Sequence, residues 1–349
     1  MCVVGLGGSG LAALSELVRR GVPAVGIDET GVAAGAAGSN GGFLLAGLAA
    51  FHHEAVGRFG RSRALACYRA TVAALTEMAT ETPAAVRRTG SLRIAVDAAE
   101  LDDCDRQADA MISDGLAVER YSGPEGDGLL VPDDASLQPV ERCRELAQRC
   151  LEAGARLFGA AQVLEISPGR VRCGSGGVEC RSVLVCVDGR LEQLLPSLEG
   201  VVRSARLQML ATEPLGRIVA ERPVYRRYGY DYYQQLPTGE LLLGGARDLG
   251  GEGEWTTKAR PGPVVQSVLE RLAEQLGGPA RVSHRWAGVV GFTASGLPVV
   301  REVDDGVFAA GGYCGTGNLI GRIAGRALVE LALDGSSDMA ELFDASEAR

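Results

Sequence analysis

The sequence predicts an α/β fold of two interleaved lobes, a Rossmann-like domain split along the chain and a second domain built on an antiparallel sheet. Three observations predict it. The chain opens with an apolar strand, a glycine-rich turn and an amphipathic helix, followed by a second short apolar run that ends in Asp28-Glu29. Two strand-rich blocks punctuated by hairpin signals occupy the middle of the chain. A glycine-rich loop near residue 312 then opens one more helix, returning the chain to the type of its first segment. No internal repeat or low-complexity linker separates the lobes.

The first element is the apolar run Met1 to Val4, short enough for a buried parallel strand. Gly5-Leu6-Gly7-Gly8-Ser9-Gly10 follows, and Leu11, Leu14, Leu17 and Val18 recur at helical spacing until Gly21 stops the helix. Each glycine then has a physical reason to be there. Gly5 allows a tight turn, Gly7 lets the backbone approach a pyrophosphate, and Gly10 lets helix and strand pack closely. The helix N-terminus supplies a positive end for that anion. Ala24 to Ile27 forms the second strand, and Asp28, eighteen residues after Gly10, stands where a ribose hydroxyl needs an acceptor. Together these residues predict an adenine dinucleotide site.

Gly35 to Phe43 is too small-sided to read as an element and looks like backbone that touches something flat. Helical patterning resumes from Ala55 to Thr82, and Gly90 to Val131 alternates short strand and helix signals. Pro139 opens a helix closed by Gly154. Arg156 to Ile166, Arg170 to Cys173 and Val178 to Val187 read as strands, with Gly174-Ser175-Gly176-Gly177 as a hairpin turn. Strands follow over Leu207 to Thr212, Tyr225 to Leu236 and Leu241 to Arg247, the last two joined by Pro237-Thr238-Gly239-Glu240. Pro263 starts an amphipathic helix, Trp286 to Val300 returns the chain, and Leu319 to Leu333 forms the last helix before Gly335.

Composition narrows the function. A net charge of −9 over 349 residues argues against nucleic-acid partners, whose binding relies on basic patches. No apolar stretch approaches the ~20 residues of a membrane span, and the first residues read as a strand instead of a charged lead into a signal sequence. Nine cysteines without a CxxC pair predict no metal site and a reducing, cytoplasmic setting, with Cys173, Cys180 and Cys186 as apolar fillers. Lys258 is the only lysine and sits in an apparent exposed connection, which excludes Schiff-base chemistry.

Six segments in order resemble the FAD-dependent oxidoreductases of the D-amino-acid oxidase, glycine oxidase and sarcosine oxidase superfamily. They are Gly5 to Gly10 with Asp28, Gly35 to Gly42, Gln208 to Pro214, Leu241 to Gly245, Trp286 through Pro298, and Gly312 to Gly317. The resemblance implies a split FAD-binding domain over residues 1–80, 133–205 and 285–349, and a substrate domain over 81–132 and 206–284. It implies that Gly5, Gly7, Gly8, Ser9 and Gly10 hold the diphosphate and Asp28 and Glu29 the ribose. Ala37, Ser39, Asn40, Gly41 and Gly42 would run beside the isoalloxazine, and Val163 would lie near the adenine. Gly312, Gly315, Thr316, Gly317 and Asn318 would aim a helix N-terminus at the flavin's N1–C2 edge, where backbone amides stabilise the negative charge that reduction brings.

Departures bear on the substrate. The amino-acid oxidases of this superfamily clamp a carboxylate with an arginine after a Trp-x-Gly element, but Trp286-Ala287-Gly288-Val289 is followed by Val290. The sarcosine oxidase lysine after the C-terminal glycine loop is replaced by Leu319, and no covalent flavin-attachment motif is present, so noncovalent FAD is implied. Tyr225 to Gln235 holds five of the eight tyrosines. On one continuous strand Tyr228, Tyr230, Tyr232 and Gln234 share a face, a row of phenols suited to line a substrate slot or equally to pack on a neighbour. Tyr230, Tyr232 and Arg247 are therefore the candidate catalytic residues, Arg247 as a replacement anion clamp or, equally, a surface partner of Asp248. His52 and His53 read as structural and His284 as exposed. The leading expectation is oxidation of a C–N bond in a small amine or amino acid, giving an imine that hydrolyses, with O2 or another acceptor taking the electrons. Oxidation of a 2-hydroxy acid and flavin binding without catalysis remain open beside it.

Overall fold

The computed structural model describes residues 1–174 and 176–344 and divides the chain into two compact units. Unit 1 comprises Met1–Ser39, Gln138–Ala205 and Val289–Arg349, and unit 2 comprises Asn40–Leu137 and Arg206–Gly288. The first unit break falls after Ser39, whereas the resemblance implies a cofactor domain that extends to residue 80. The segment Asn40 to Glu81 joins unit 2 through its own pairing: Phe43–Leu44 pairs with Ala135–Leu137.

Unit 1 is built on a six-stranded sheet in the order 299–304, 307–311, 183–185, 2–4, 25–27 and 156–158. Its strands pair in parallel except Val299–Asp304, which runs antiparallel to Val307–Gly311. The short central strands are valine-rich and fully buried, as a sheet covered on both faces requires. Helices Gly8–Arg19, Pro139–Glu152 and Gly317–Asp334 pack around it. The first and last meet closely at Gly325, where a Cβ would fall 2.1 Å from the Ser9 carbonyl oxygen. Beside the sheet lies the antiparallel trio Val163–Ser167, Arg170–Cys173 and Gly176–Glu179. The run expected as one strand from Arg156 is interrupted at Gly159 and Ala160, the latter at φ 51, so Arg156–Phe158 and Val163–Ser167 enter different sheets. Val178 to Val187 likewise divides into Gly176–Glu179 and Val183–Val185, leaving Cys180 outside both strands and only half-buried. Within the expected 174–177 turn, Ser175 lies outside the described residues.

Unit 2 holds an eight-stranded sheet in the order 282–292, 203–212, 241–245, 231–235, 224–226, 91–94, 126–131 and 119–123. Val224–Arg226 runs parallel to Ser91–Ile94, while 203–212 with 241–245, 241–245 with 231–235, 231–235 with 224–226, 91–94 with 126–131 and 126–131 with 119–123 pair antiparallel. Leu92, Ile94, Val224, Tyr233, Leu241 and Leu243 form a core beneath it with Leu269 of the helix Pro263–Gly277. The helical stretch expected over Ala55 to Thr82 is two helices, His52–Phe59 and Arg61–Glu81, because Gly60 sits at φ +80. Among the described residues no helix is long and apolar enough to cross a membrane.

Candidate active site

In unit 1 the glycine loop has the backbone constraints its sequence predicts. Gly5 lies at φ +99, and a Cβ there would sit 2.5 Å from the Cys186 carbonyl oxygen. A Cβ on Gly10 would fall 1.9 Å from the Gly5 oxygen, so only glycine lets helix and strand meet. Gly7 caps the helix with no side-chain hydrogen bond, and Gly8 faces open space, leaving the first amides of the helix without a side-chain cap. Ala37 approaches this turn, its Cβ 3.1 Å from where a Cβ of Gly7 would stand. It belongs to a helical turn, Ala36–Ser39, in a segment whose composition predicts irregular backbone; Gly38 permits it because a Cβ would collide with the Ala33 carbonyl.

Asp28 accepts from the amides of Leu6 at 2.9 Å, Thr30 at 2.8 Å and Gly31 at 2.9 Å. A carboxylate offers about four lone-pair positions, so one is left for a hydroxyl donor. Glu29 pairs with Arg190. Val163 is buried in the apolar cluster of unit 1.

The C-terminal loop is organised by a residue that the sequence pattern does not single out. Asp188, half-buried at φ 47, accepts from the amides of Gly312 at 2.9 Å, Tyr313 at 3.1 Å and Gly291 at 3.1 Å. Burial outweighs these donors and pushes its carboxyl up to about 6. The available signal is an Asp-Gly pair just past an apolar parallel strand, the carboxyl end at which such sheets gather their ligand-binding residues. Beyond it Gly312 and Gly315 take φ +72 and +90, and Thr316 caps the helix Gly317–Asp334, its hydroxyl donating to the Tyr313 carbonyl at 2.7 Å. Asn318 stands in the first turn, and no side-chain cap is formed.

In unit 2 the expected tyrosine row is rearranged. Val224–Arg226 and Asp231–Gln235 are two strands, because Arg227 and Tyr228 adopt φ 50 and 52 in the turn between them. Tyr228 and Tyr230 are exposed, the Tyr228 hydroxyl donating to Asp103 at 2.8 Å. Tyr232 instead pairs across the strands with Tyr225. Their rings stack at 5.9 Å, and Phe43 meets Tyr232 edge-on at 5.4 Å. Asn40, Gly41 and Gly42 lead into that phenylalanine: Asn40 accepts from the Gly42 amide at 2.8 Å, and Gln234 donates to the Gly41 carbonyl. Gly41 is required, since a Cβ would lie 2.8 Å from the Phe43 ring. Burial pushes the phenols of Tyr225 and Tyr232 above their usual range.

Arg247 does not end a strand; it opens the short helix Arg247–Gly250, its guanidinium 4.8 Å from the Trp255 ring centroid and 5.7 Å from that of Tyr230. Asp248 pairs with Arg227, not with Arg247. His52 is buried against Asp114 at 2.7 Å, His53 lies 3.4 Å from Asp103, and His284 is exposed on the edge strand Val282–Phe292.

The model of the DAO family, FAD dependent oxidoreductase, matches residues 1–331. The chain belongs to this family. Its relatives include the gamma-glutamylputrescine oxidoreductase of Escherichia coli, 25% identical over 99% of this chain and 85% of that protein. Among solved structures, L-proline dehydrogenase from P. horikoshii superposes with a TM-score of 0.78 at 17% identity, covering 98% of this chain and 96% of that one. Glycine oxidase from Geobacillus kaustophilus gives 0.77 at 20% identity, over 99% and 96%. As a member the protein is an FAD-dependent oxidoreductase, and its own residues fit that cofactor. The first helix is uncapped at a glycine cradle, Asp28 retains acceptor capacity, and the Tyr313 hydroxyl is buried with no hydrogen-bond partner among the described residues.

Proposed function

We propose that the protein oxidises the C–N bond of an amine or amino acid to an imine, which water then hydrolyses. FAD, when bound, supplies the acceptor for the hydride that leaves carbon. In this reading unit 1 holds it noncovalently through Gly5, Gly7, Gly8, Ser9, Gly10, Asp28, Glu29, Ala37, Ser39, Gly312, Gly315, Thr316, Gly317 and Asn318. Val163, buried in the apolar cluster, contributes packing near the adenine. Asn40, Gly41 and Gly42 carry the chain into unit 2, whose sheet binds the substrate. Tyr232 lies on that sheet beside Tyr225, in the substrate-binding role that the sequence pattern gives to the row through Tyr230.

The observation that carries the choice of an amine is where the protein's bases are. No histidine stands in the strand-paired row of Tyr225 and Tyr232: His52 is buried against Asp114, His53 lies beside Asp103 with its ring edge-on to Phe51, and His284 is exposed on an edge strand. The two phenols on the sheet, protonated at neutral pH by their ordinary range, are pushed still higher by burial and supply no base. Oxidising an alcohol needs a base for the hydroxyl proton, whereas a neutral amine drives hydride loss with its own lone pair. The names of relatives and neighbours, gamma-glutamylputrescine oxidoreductase, glycine oxidase and iminodiacetate oxidase, support the same substrate class. An anaerobic screen of amines, amino acids and 2-hydroxy acids tests it: amines or amino acids should bleach the bound flavin. Bleaching by hydroxy acids alone, or by nothing, would reject the proposal.

A further inference from the structure

Across the unit 2 sheet, strand pairing sets Arg93, Tyr225, Tyr232 and Gly244 in one line, with Met209 beyond Gly244. Residues paired across neighbouring strands project to the same face, so Arg93 stands beside the two stacked phenols. Gly244 lets the Met209 and Tyr232 side chains close over the strand, since a Cβ there would lie 2.3 Å from both the Met209 sulfur and the Tyr232 ring. Neither the Tyr225 nor the Tyr232 hydroxyl makes a hydrogen bond to another described residue.

Arg93 is 8% exposed and almost unpaired. Of its five N–H donors, one reaches an acceptor among the described residues, Nη1 to Gln107 Oε1 at 3.4 Å, which is long for a hydrogen bond. Its Nε is buried with no partner, and no described carboxylate forms an ion pair with it. Asp134 lies within its electrostatic reach, but that buried carboxylate accepts from the Ala46 amide at 2.7 Å and the Ser91 hydroxyl at 2.6 Å. The Phe51 ring, 5.3 Å from the guanidinium carbon, covers one side of the group. A desolvated guanidinium is ordinarily paired, and leaving it without an anion is strongly unfavourable.

We propose that Arg93 is the carboxylate-binding residue of this protein, that the Tyr225 hydroxyl donates to the same anion, and that the substrate is therefore a carboxylate-bearing amine. This rests on the C–N oxidation reading and narrows its substrate class. It also answers the absence of an arginine at Val290 and of a lysine at Leu319, since the cation comes from a different strand.

The test titrates the holoprotein with acetate, propionate and phenylacetate, each against its neutral amide, following the flavin difference spectrum. Wild type should bind at least one carboxylate about 10- to 150-fold tighter than its amide, the equivalent of one hydrogen bond to a charged group. Arg93→Met should abolish that preference and leave amide affinity unchanged, and Arg93→Lys should keep part of it. Wild type showing no preference in any pair would overturn the proposal without any variant, as would Arg93→Met still favouring the carboxylate. The titration needs no turnover, so failure of the C–N reading appears separately, as absence of bleaching by amines.

Discussion

Replacing Asp188 with asparagine should abolish a pH dependence of stability that the wild type carries. In the fold its carboxyl is raised from the ordinary 3.8 to about 6, with burial as the largest cause. A raised acid contributes stability as the protonated form: the contribution is complete below the unfolded value and is lost as pH rises through the folded one. At about 1.4 kcal/mol for each tenfold change, the whole effect is about 3 kcal/mol. About 1.4 kcal/mol of it disappears between about pH 5 and about pH 7.5, or about 3 °C in Tm at ~2 °C per kcal/mol for a chain of this size. Asp188→Asn removes that slope. Asp134, also raised to about 6, contributes with the same sign in both proteins and cancels in the difference. Differential scanning fluorimetry across this range decides the matter; if the curves of wild type and variant run parallel, the carboxyl does not titrate as argued.

Acid precipitation should release FAD into the supernatant, and flavin retained in the pellet would contradict noncovalent binding. Gly7→Val should yield folded protein without flavin, since a side chain in the uncapped cradle displaces the diphosphate, and full occupancy by absorbance would show the site misplaced. The reduced protein should react slowly with oxygen and faster with an artificial acceptor, because the only lysine, Lys258, is exposed in a connection of unit 2 and no lysine is left to stabilise developing superoxide. Stopped-flow reoxidation at a rate near that of fast flavin oxidases would reject that view.

The glycine cradle is legible in the sequence because its constraint is steric and local. Gly5 and Gly10 are dictated by the Cys186 and Gly5 carbonyls, and such close backbone approaches leave a glycine spacing in the sequence. The tyrosine row is not legible in the same way. Its strand is broken by positive φ at Arg227 and Tyr228, residue types that give no turn signal, and only Gly229 hints at it. Arg247 misleads for a different reason: a guanidinium at a strand end looks available until Trp255, eight residues on, is seen against it. Asp188 is hidden because its partners are backbone amides of residues 291, 312 and 313, remote in sequence and without side-chain pattern.

Arg93 shows why reading a chain by its relatives' motif positions can miss the residue that matters. The amino-acid oxidases that the sequence resembles place a cation after the Trp-x-Gly element or after the C-terminal glycine loop, and here Val290 and Leu319 occupy those positions. Their loss alone would suggest a neutral substrate. Yet within Ser91-Leu92-Arg93-Ile94, Leu92 and Ile94 enter the core while the intervening residue projects from the opposite face. A strand can carry a buried charge there only if an anion compensates it. Among the described residues no carboxylate reaches it at hydrogen-bonding distance, and Asp134, the anion within its electrostatic reach, is engaged by the Ala46 amide and the Ser91 hydroxyl, so a ligand carboxylate meets the requirement directly in a way that a neutral amine does not.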